Sequence, residues 1–260
     1  MGIRYYNSSL PITFLLNRSI SIIIPAYNEQ IRLPDTLRRV TDYLESGAWS
    51  FYEILVVDDG SKDGTFAVAE DFAKAHCHVR VLRNPGNRGK GFSVRYGMTE
   101  ARGEWRLFTD ADLSTPIEEL QKLWCTIARG DYDIAIGSRA LDRSLIGVRQ
   151  PGYREAFGRF FNGVMRVATG LGISDTQCGF KLFRGAAAEE IFANQTLERF
   201  GFDVEVLFIA SRRGYRIAEV PVRWNHVEGS KVSLMTGLHA FGEVAQIRVN
   251  SLLGRYRQKS

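Results

Sequence analysis

Short, continuous apolar runs recur along the first half of the chain: residues 19–25 (SISIIIP), 53–57 (EILVV), 79–82, 105–109 (WRLFT) and 133–136 (DIAI). Such runs predict strands covered on both faces of a sheet. Stretches with helical spacing lie between them. Leu33, Leu37, Val40 and Leu44 share one face of a helix over 33–44, and Pro34 suits its first turn. Residues 65–75, 91–101 and 116–129 read likewise. The last follows Ser114-Thr115-Pro116 and carries Glu118 and Glu119, which reads as an N-cap, a helix-entry proline and acids that complement the helix dipole. Strand–helix alternation through Arg139 predicts a doubly wound, mostly parallel α/β sheet with helices on both faces.

Polar clusters follow four of these strands: Tyr27-Asn28-Glu29, Asp58-Asp59-Gly60-Ser61, Asp110-Ala111-Asp112 and Ser138-Arg139. In an open parallel sheet the carboxyl ends of the strands form one rim, and ligands bind there. After Arg139 the pattern loosens. Residues 141–153 read as a loop, 175–183 (DTQCGFKLF) as a compact block, and 217–224 as a strand. The apolar run 202–211 has Asp203 and Glu205 embedded in it. Leu234, Leu238, Phe241, Ala245, Val249, Leu252 and Tyr256 form one stripe of a C-terminal amphipathic helix, with Arg248, Arg255, Arg257 and Lys259 toward its end. Packing on its own domain is favoured for this helix over a membrane interface, and the two can coexist at different ends. The predicted organisation is an N-terminal extension (1–18), a catalytic domain (19–232) and this helix (233–260).

The composition is that of an ordinary globular protein, with 45% hydrophobic and 24% charged residues among 260. A net charge of +5 fits an anionic partner without choosing one. The widely spaced Cys77, Cys125 and Cys178 argue against a disulfide framework or structural zinc site and for a reducing cytoplasm. The N-terminus lacks the features of a signal peptide, and no apolar run approaches the roughly 18–20 residues that span a bilayer. Any membrane contact is therefore expected to be peripheral.

Asp110 and Asp112, directly after a strand, can both reach one hard cation, and Mg²⁺ usually takes one or two carboxylates together with phosphate oxygens. At Asp58-Asp59-Gly60 one acid can turn the chain while the other stays free to bind a base or ribose. Pro25, Tyr27 and Glu29 could flank a nucleoside. Residues 86–91 (GNRGKG) match neither the P-loop nor the dinucleotide fingerprint, but leave a basic loop suited to a pyrophosphate. Arg139, Arg149 and Arg154 suit phosphate oxygens. Adjacent His76, Cys77 and His78 do not read as a metal site, and no nucleic-acid motif occurs.

The motifs SIIIPAYNE, EILVVDDGSKDGT, NRGKG, FTDADLSTP, IGSR, DTQCGFKLF and VEGSK follow one another in this order. Together they resemble the family 2 glycosyltransferases of GT-A fold, and within them the dolichyl- and polyprenyl-phosphate glucosyl- and mannosyltransferases. The resemblance spans roughly residues 19–232. It implies that Pro25, Tyr27, Glu29, Val57 and Asp59 hold the nucleoside. It gives Asp110, Ala111 and Asp112 to the diphosphate and to Mg²⁺ or Mn²⁺. Arg139 and Lys231 would hold phosphate groups, and Arg154 the acceptor phosphate.

Two departures, Asn225 and Ser114-Thr115, weigh against GDP-mannose as donor. The reaction implied is inverting transfer of a hexose, glucose from UDP-glucose first, to a polyprenyl or dolichyl monophosphate on the cytoplasmic face of a membrane. GDP-mannose-dependent mannosyl transfer and a catalytically inactive nucleotide-sugar-binding protein are the alternatives. Asp175 is a candidate base or orienting group should the acceptor be a hydroxyl.

Overall fold

The computed structural model describes residues 18–148, 152, 163, 169–227 and 234–256, without the side chains of 234–241 and 244. In chain order the elements are β1 (Ser19–Ala26), α1 (Leu33–Glu45), β2 (Phe51–Asp58), α2 (Thr65–Ala75), β3 (Val79–Arg83), α3 (Lys90–Glu100), β4 (Trp105–Thr109), α4 (Leu120–Arg129) and β5 (Ile134–Ser138). They continue with β6 (Phe180–Arg184), α5 (Gly185–Ala193), α6 (Phe202–Arg212), β7 (Ile217–Pro221) and α7 (Leu234–Leu252). The strands form one seven-stranded sheet in the order β3-β2-β1-β4-β6-β5-β7. Every pairing is parallel except those of β6, which runs antiparallel to both β4 and β5.

Side chains of successive strand residues point to opposite faces, so an all-apolar strand feeds two cores. Ile23, Leu55 and Val57 enter one cluster, with α3, α5 and α6. Ile22, Ile24, Ile54 and Val56 enter the other, with α1 and α4. This explains why the strands read as continuous apolar runs. From β1 the chain winds outward through β2 and β3, then returns to place β4 on the other side of β1. That reversal opens a crevice at the carboxyl ends of β1 and β4.

Three features of the sequence reading change. The helix expected over 116–129 starts later: Pro116 is extended at ψ 143°, Ile117–Glu119 form a 3₁₀ turn, and α4 begins at Leu120. No side chain caps either element, and the backbone N–H of Ser114 donates to Asp112 instead. The block 175–183 divides into a rim turn and the reversed strand β6. The C-terminal stripe ends at Leu252 rather than Tyr256, because Gly254 adopts φ +72° and turns the chain.

The helix α7 packs on the domain, but not through Ala245, Val249 and Leu252 of that stripe. Ile247 and Asn250 are buried, while Ala245, Val249 and Leu252 are exposed. Tyr256 returns to the interior, where its hydroxyl donates to Glu205 Oε1 at 2.6 Å and accepts from Asn250. Buried Glu205 also accepts from Thr196 and Leu197. Tyr256→Phe strips a donor from a buried carboxylate, so it should lower stability by about 1–3 kcal/mol, read by urea denaturation.

Candidate functional site

Four turns leave the carboxyl ends of β1, β2, β4 and β5, and hydrogen bonds weld them into one rim. After β1, Asn28 takes positive φ (52°), its N–H donates to Ser61 Oγ, and its side-chain oxygen accepts from the Lys62 N–H. The Glu29 N–H donates to Thr65 Oγ1 at 2.7 Å. The Glu29 carboxylate pairs with Arg32 through two hydrogen bonds. Pro25 is the penultimate residue of β1 and Tyr27 follows the strand directly.

The second turn corrects the expectation that one of its two acids stays free. Asp58 is fully buried, accepts from the Ser61 N–H and pairs with Arg83 at 3.3 Å. Asp59 is 4% exposed and accepts from the Asn84 side chain and from the backbone N–H groups of Arg88 and Gly89. Its carboxylate is the anchor of the loop 86–89. The Val57 side chain is fully buried in the core between the two parallel neighbours of β2, so only its backbone, one residue from the end of the strand, is left to meet a nucleoside.

The third turn carries Asp110 and Asp112. Leu113 takes φ 45° and donates its N–H to the Asp110 carbonyl, which folds the turn back on itself. Asp110 Oδ1 lies 2.6 Å from Lys90 Nζ, at the start of α3. Burial, and after it the charge of Asp110, pushes the Asp112 carboxyl up from its ordinary value. Burial alone would lower the Lys90 ammonium, but Asp110, Asp203 and Asp112 together raise it. The turn thus holds two hard oxygen donors close enough to repel one another, which suits Mg²⁺ or Mn²⁺ with phosphate oxygens completing the shell. No group of three or more His, Cys, Asp or Glu that could hold a metal occurs among the described residues.

Asp110 is kept in place from behind by the segment before β6. A Cβ on Gly179 would fall 2.1 Å from Asp110 Oδ2, so only glycine leaves room for the carboxylate. Gly179 precedes β6, whose fully buried Lys181 donates to the Cys178 carbonyl at 2.7 Å and pairs with Asp203 of α6. Gly179→Ala should displace Asp110 by an ångström or so and reduce kcat by about 10²-fold, with the melting transition largely kept.

Arg139, after β5, is bound to Asp175 by three hydrogen bonds, from its backbone N–H, Nε and Nη2, at 3.0, 2.7 and 2.8 Å. Glu219 of β7 holds the backbone of Ser174 and Asp175. Burial would raise the Asp175 carboxyl, but the Arg139 guanidinium outweighs it and holds the group below the usual carboxylate range. A buried acid so engaged does not serve as a base, so Asp175 keeps only the orienting half of its expected role. Its contribution to stability is whole above the unfolded value, about pH 3.9, and is lost as pH falls through its lower folded value. Asp175→Asn should therefore be less stable than the parent at pH 7, with the gap closing below about pH 4. Acid unfolding of both proteins checks this.

The Arg139 guanidinium lies 5.5 Å from the Trp224 ring. Asn225 donates its N–H to the Ser114 carbonyl, which ties the strand-end segment after β7 to the third turn. Arg149, Arg154 and Lys231 lie outside the described residues. His76 stacks on Phe72 at a ring distance of 3.9 Å, and His78 lies tilted against Tyr52 at 4.3 Å. Sequence reasoning treated the basic loop as a unit and missed Lys90 individually. It also missed Gly179, Lys181 and Asp203. The one available signal was the pair of acids inside the apolar run of α6.

Known proteins resemble this chain in sequence and in fold. The family model "Glycosyl transferase family 2" matches residues 21–192. The dolichyl-phosphate beta-glucosyltransferase of Drosophila melanogaster is 39% identical over 251 residues, covering 92% of this chain and 77% of that protein. The Homo sapiens dolichyl-phosphate beta-glucosyltransferase is 38% identical over 258 residues, covering 92% and 78%. Among solved structures, glucosyl-3-phosphoglycerate synthase from Mycobacterium tuberculosis, in complex with Mn²⁺, uridine diphosphate and glucosyl-3-phosphoglycerate, superposes with a TM-score of 0.63. It is 18% identical, with 95% of this chain and 83% of that one covered, so it speaks for the GT-A fold alone. The rim of turns, the acid pair after β4 and the extent of the match lead to one conclusion: the chain belongs to glycosyltransferase family 2, among the dolichyl-phosphate beta-glucosyltransferases.

Proposed function

We propose that this protein is an inverting hexosyltransferase that moves glucose from UDP-glucose to dolichyl phosphate and leaves a β-linked lipid-phosphate sugar. The observation that carries the reading is the acid pair Asp110 and Asp112, backed by Lys90 and Gly179, in a chain 39% identical to a dolichyl-phosphate beta-glucosyltransferase. The mannosyl alternative is not favoured by relatives of that name. Asp110 and Asp112 would hold Mg²⁺ or Mn²⁺, which when bound supplies positive charge to the diphosphate as it leaves.

The chain's own residues do the rest. The rim turns after β1 and β2 form the floor on which a nucleoside would rest, with Pro25, Tyr27, Glu29 and Asp59 at its edge. Arg139 is held by Asp175, and its Nη1 has no partner among the described residues, so one face of a preorganised guanidinium can meet phosphate oxygens. Arg154 and Lys231 are assigned to the same phosphate chemistry. A lipid monophosphate has a second pKa near 6 by analogy with phosphorylated side chains, so it attacks without a base. The engagement of Asp175 by Arg139 fits that acceptor, because no proton has to be taken. Positioning and fixed charge then carry the rate.

We assign a peripheral, cytoplasmic-face membrane contact to α7. Its exposed Ala245, Val249 and Leu252, with Leu253 and the exposed Arg248 and Arg255 beside them, support this. No helix among the described residues is long and apolar enough to cross a membrane. The experiment is a donor panel of UDP-glucose, UDP-galactose, UDP-GlcNAc and GDP-mannose with dolichyl phosphate, with Mg²⁺, Mn²⁺ or EDTA, and the lipid product weighed by mass spectrometry. A hexosyl product from UDP-glucose, lost on chelation, is expected. A product from GDP-mannose alone, or full activity in EDTA, overturns the reading.

A further inference from the structure

We propose that Lys90 is an internal counter-cation of Asp110 that competes with the divalent ion, so that the ion enters the site together with the donor's diphosphate and not ahead of it. The inference rests on the reading of Asp110 and Asp112 as that ion's ligands. It starts from what faces Asp110, whose side chain is 36% exposed. Its Oδ1 faces the Lys90 ammonium at 2.6 Å. Its Oδ2 lies against the Gly179 backbone, so close that a Cβ there would be 2.1 Å away. One oxygen faces a charge and the other main chain, and the rest of the carboxylate is open to an entering ion.

A hard cation of this class sits about 2.0–2.1 Å from a carboxylate oxygen. An ammonium and a dication on the same carboxylate repel strongly at that range, and burial weakens the screening. Binding of the ion therefore requires the Lys90 side chain to withdraw. The backbone cannot do this easily, because Asp59 anchors the N–H groups of Arg88 and Gly89 immediately before it. What moves is the flexible four-carbon stem, which carries the ammonium 5.9 Å from the centroid of the Phe202 ring. Withdrawal costs the ammonium its ion pair with Asp110, and a diphosphate oxygen replaces that partner. The donor thus offers the displaced charge a partner, and metal and nucleotide binding become positively linked.

The test is Mn²⁺ binding to the intact protein, measured by electron paramagnetic resonance of the free ion, with and without UDP. In the parent protein UDP should tighten Mn²⁺ at least tenfold. Lys90→Met should bind Mn²⁺ alone at least tenfold more tightly than the parent, and the enhancement by UDP should shrink by the same factor. Lys90→Arg, which keeps the charge, should behave as the parent. A lysine that merely tied α3 to β4 would instead loosen the site when removed. Lys90→Met that binds Mn²⁺ no tighter than the parent overturns the proposal and leaves the proposed function standing. Mn²⁺ that binds the parent neither alone nor with UDP overturns both. Should Lys90→Met melt early, Lys90→Gln gives the same reading, and absence of UDP enhancement in the parent refutes the idea without any variant.

Discussion

Asp112→Asn should lower the rate of sugar transfer by about 10³-fold, the loss typical of a group that offsets charge as it develops. The change is close to isosteric, and the Ser114 N–H that donates to the Asp112 side chain still finds an oxygen there. Removing the charge also relieves the repulsion with Asp110 and the burial that together push the Asp112 carboxyl up. The variant should therefore melt no earlier than the parent while losing activity. Steady-state kinetics at saturating UDP-glucose, beside a thermal melt, separate the two effects. Activity within tenfold of the parent would remove Asp112 from the diphosphate site.

Lys181→Met has its largest effect on stability. Lys181 is fully buried in β6 and pairs with Asp203, itself 3% exposed. Methionine fills much of the same volume but leaves the Asp203 carboxylate buried without its cation. Breaking such a pair from one side destabilises by about 3–5 kcal/mol. For a chain of this size that is a fall in melting temperature of roughly 6–20 °C. The companion variant, Lys181→Met with Asp203→Leu, removes both charges and should recover much of the loss, since a packed apolar pair is often as stable as a buried ionic one. Because Lys181 also holds the Cys178 carbonyl, next to Gly179, the single variant should raise the metal requirement as well.

Much of this architecture is written in local patterns. Four of the five runs from SISIIIP to DIAI become inner strands because their sheet is covered on both faces, and the third becomes the half-buried edge strand β3; the polar residues behind four of the five gather at one rim because parallel strands end together. The acid pair was found for the same reason. What escaped was set by contacts distant in sequence. Nothing local marks β6 as a reversed strand, and residues 175–183 read only as a compact block. The helix α6 has Phe202 to Ala210 buried without a break, so it has no polar face to betray its period. Asp59 looked available in the turn, and its capture by amides about 30 residues on depends on a loop that only the fold brings near. The stripe on α7 has the right period, but Ala245, Val249 and Leu252 face solvent while Ile247, Asn250 and Tyr256 face the domain.

The reversal of β6 has an evolutionary corollary. Since β5 ends at the rim and the antiparallel β6 begins there, the chain between them departs from and returns to the same edge of the sheet. That excursion can be lengthened, shortened or replaced without unthreading a strand, and loop closure rises only slowly with length. The donor half, built from β1 to β4, is left untouched by such exchanges. A lineage could thus keep one way of gripping nucleotide sugars and refashion, excursion by excursion, the molecule that receives the sugar.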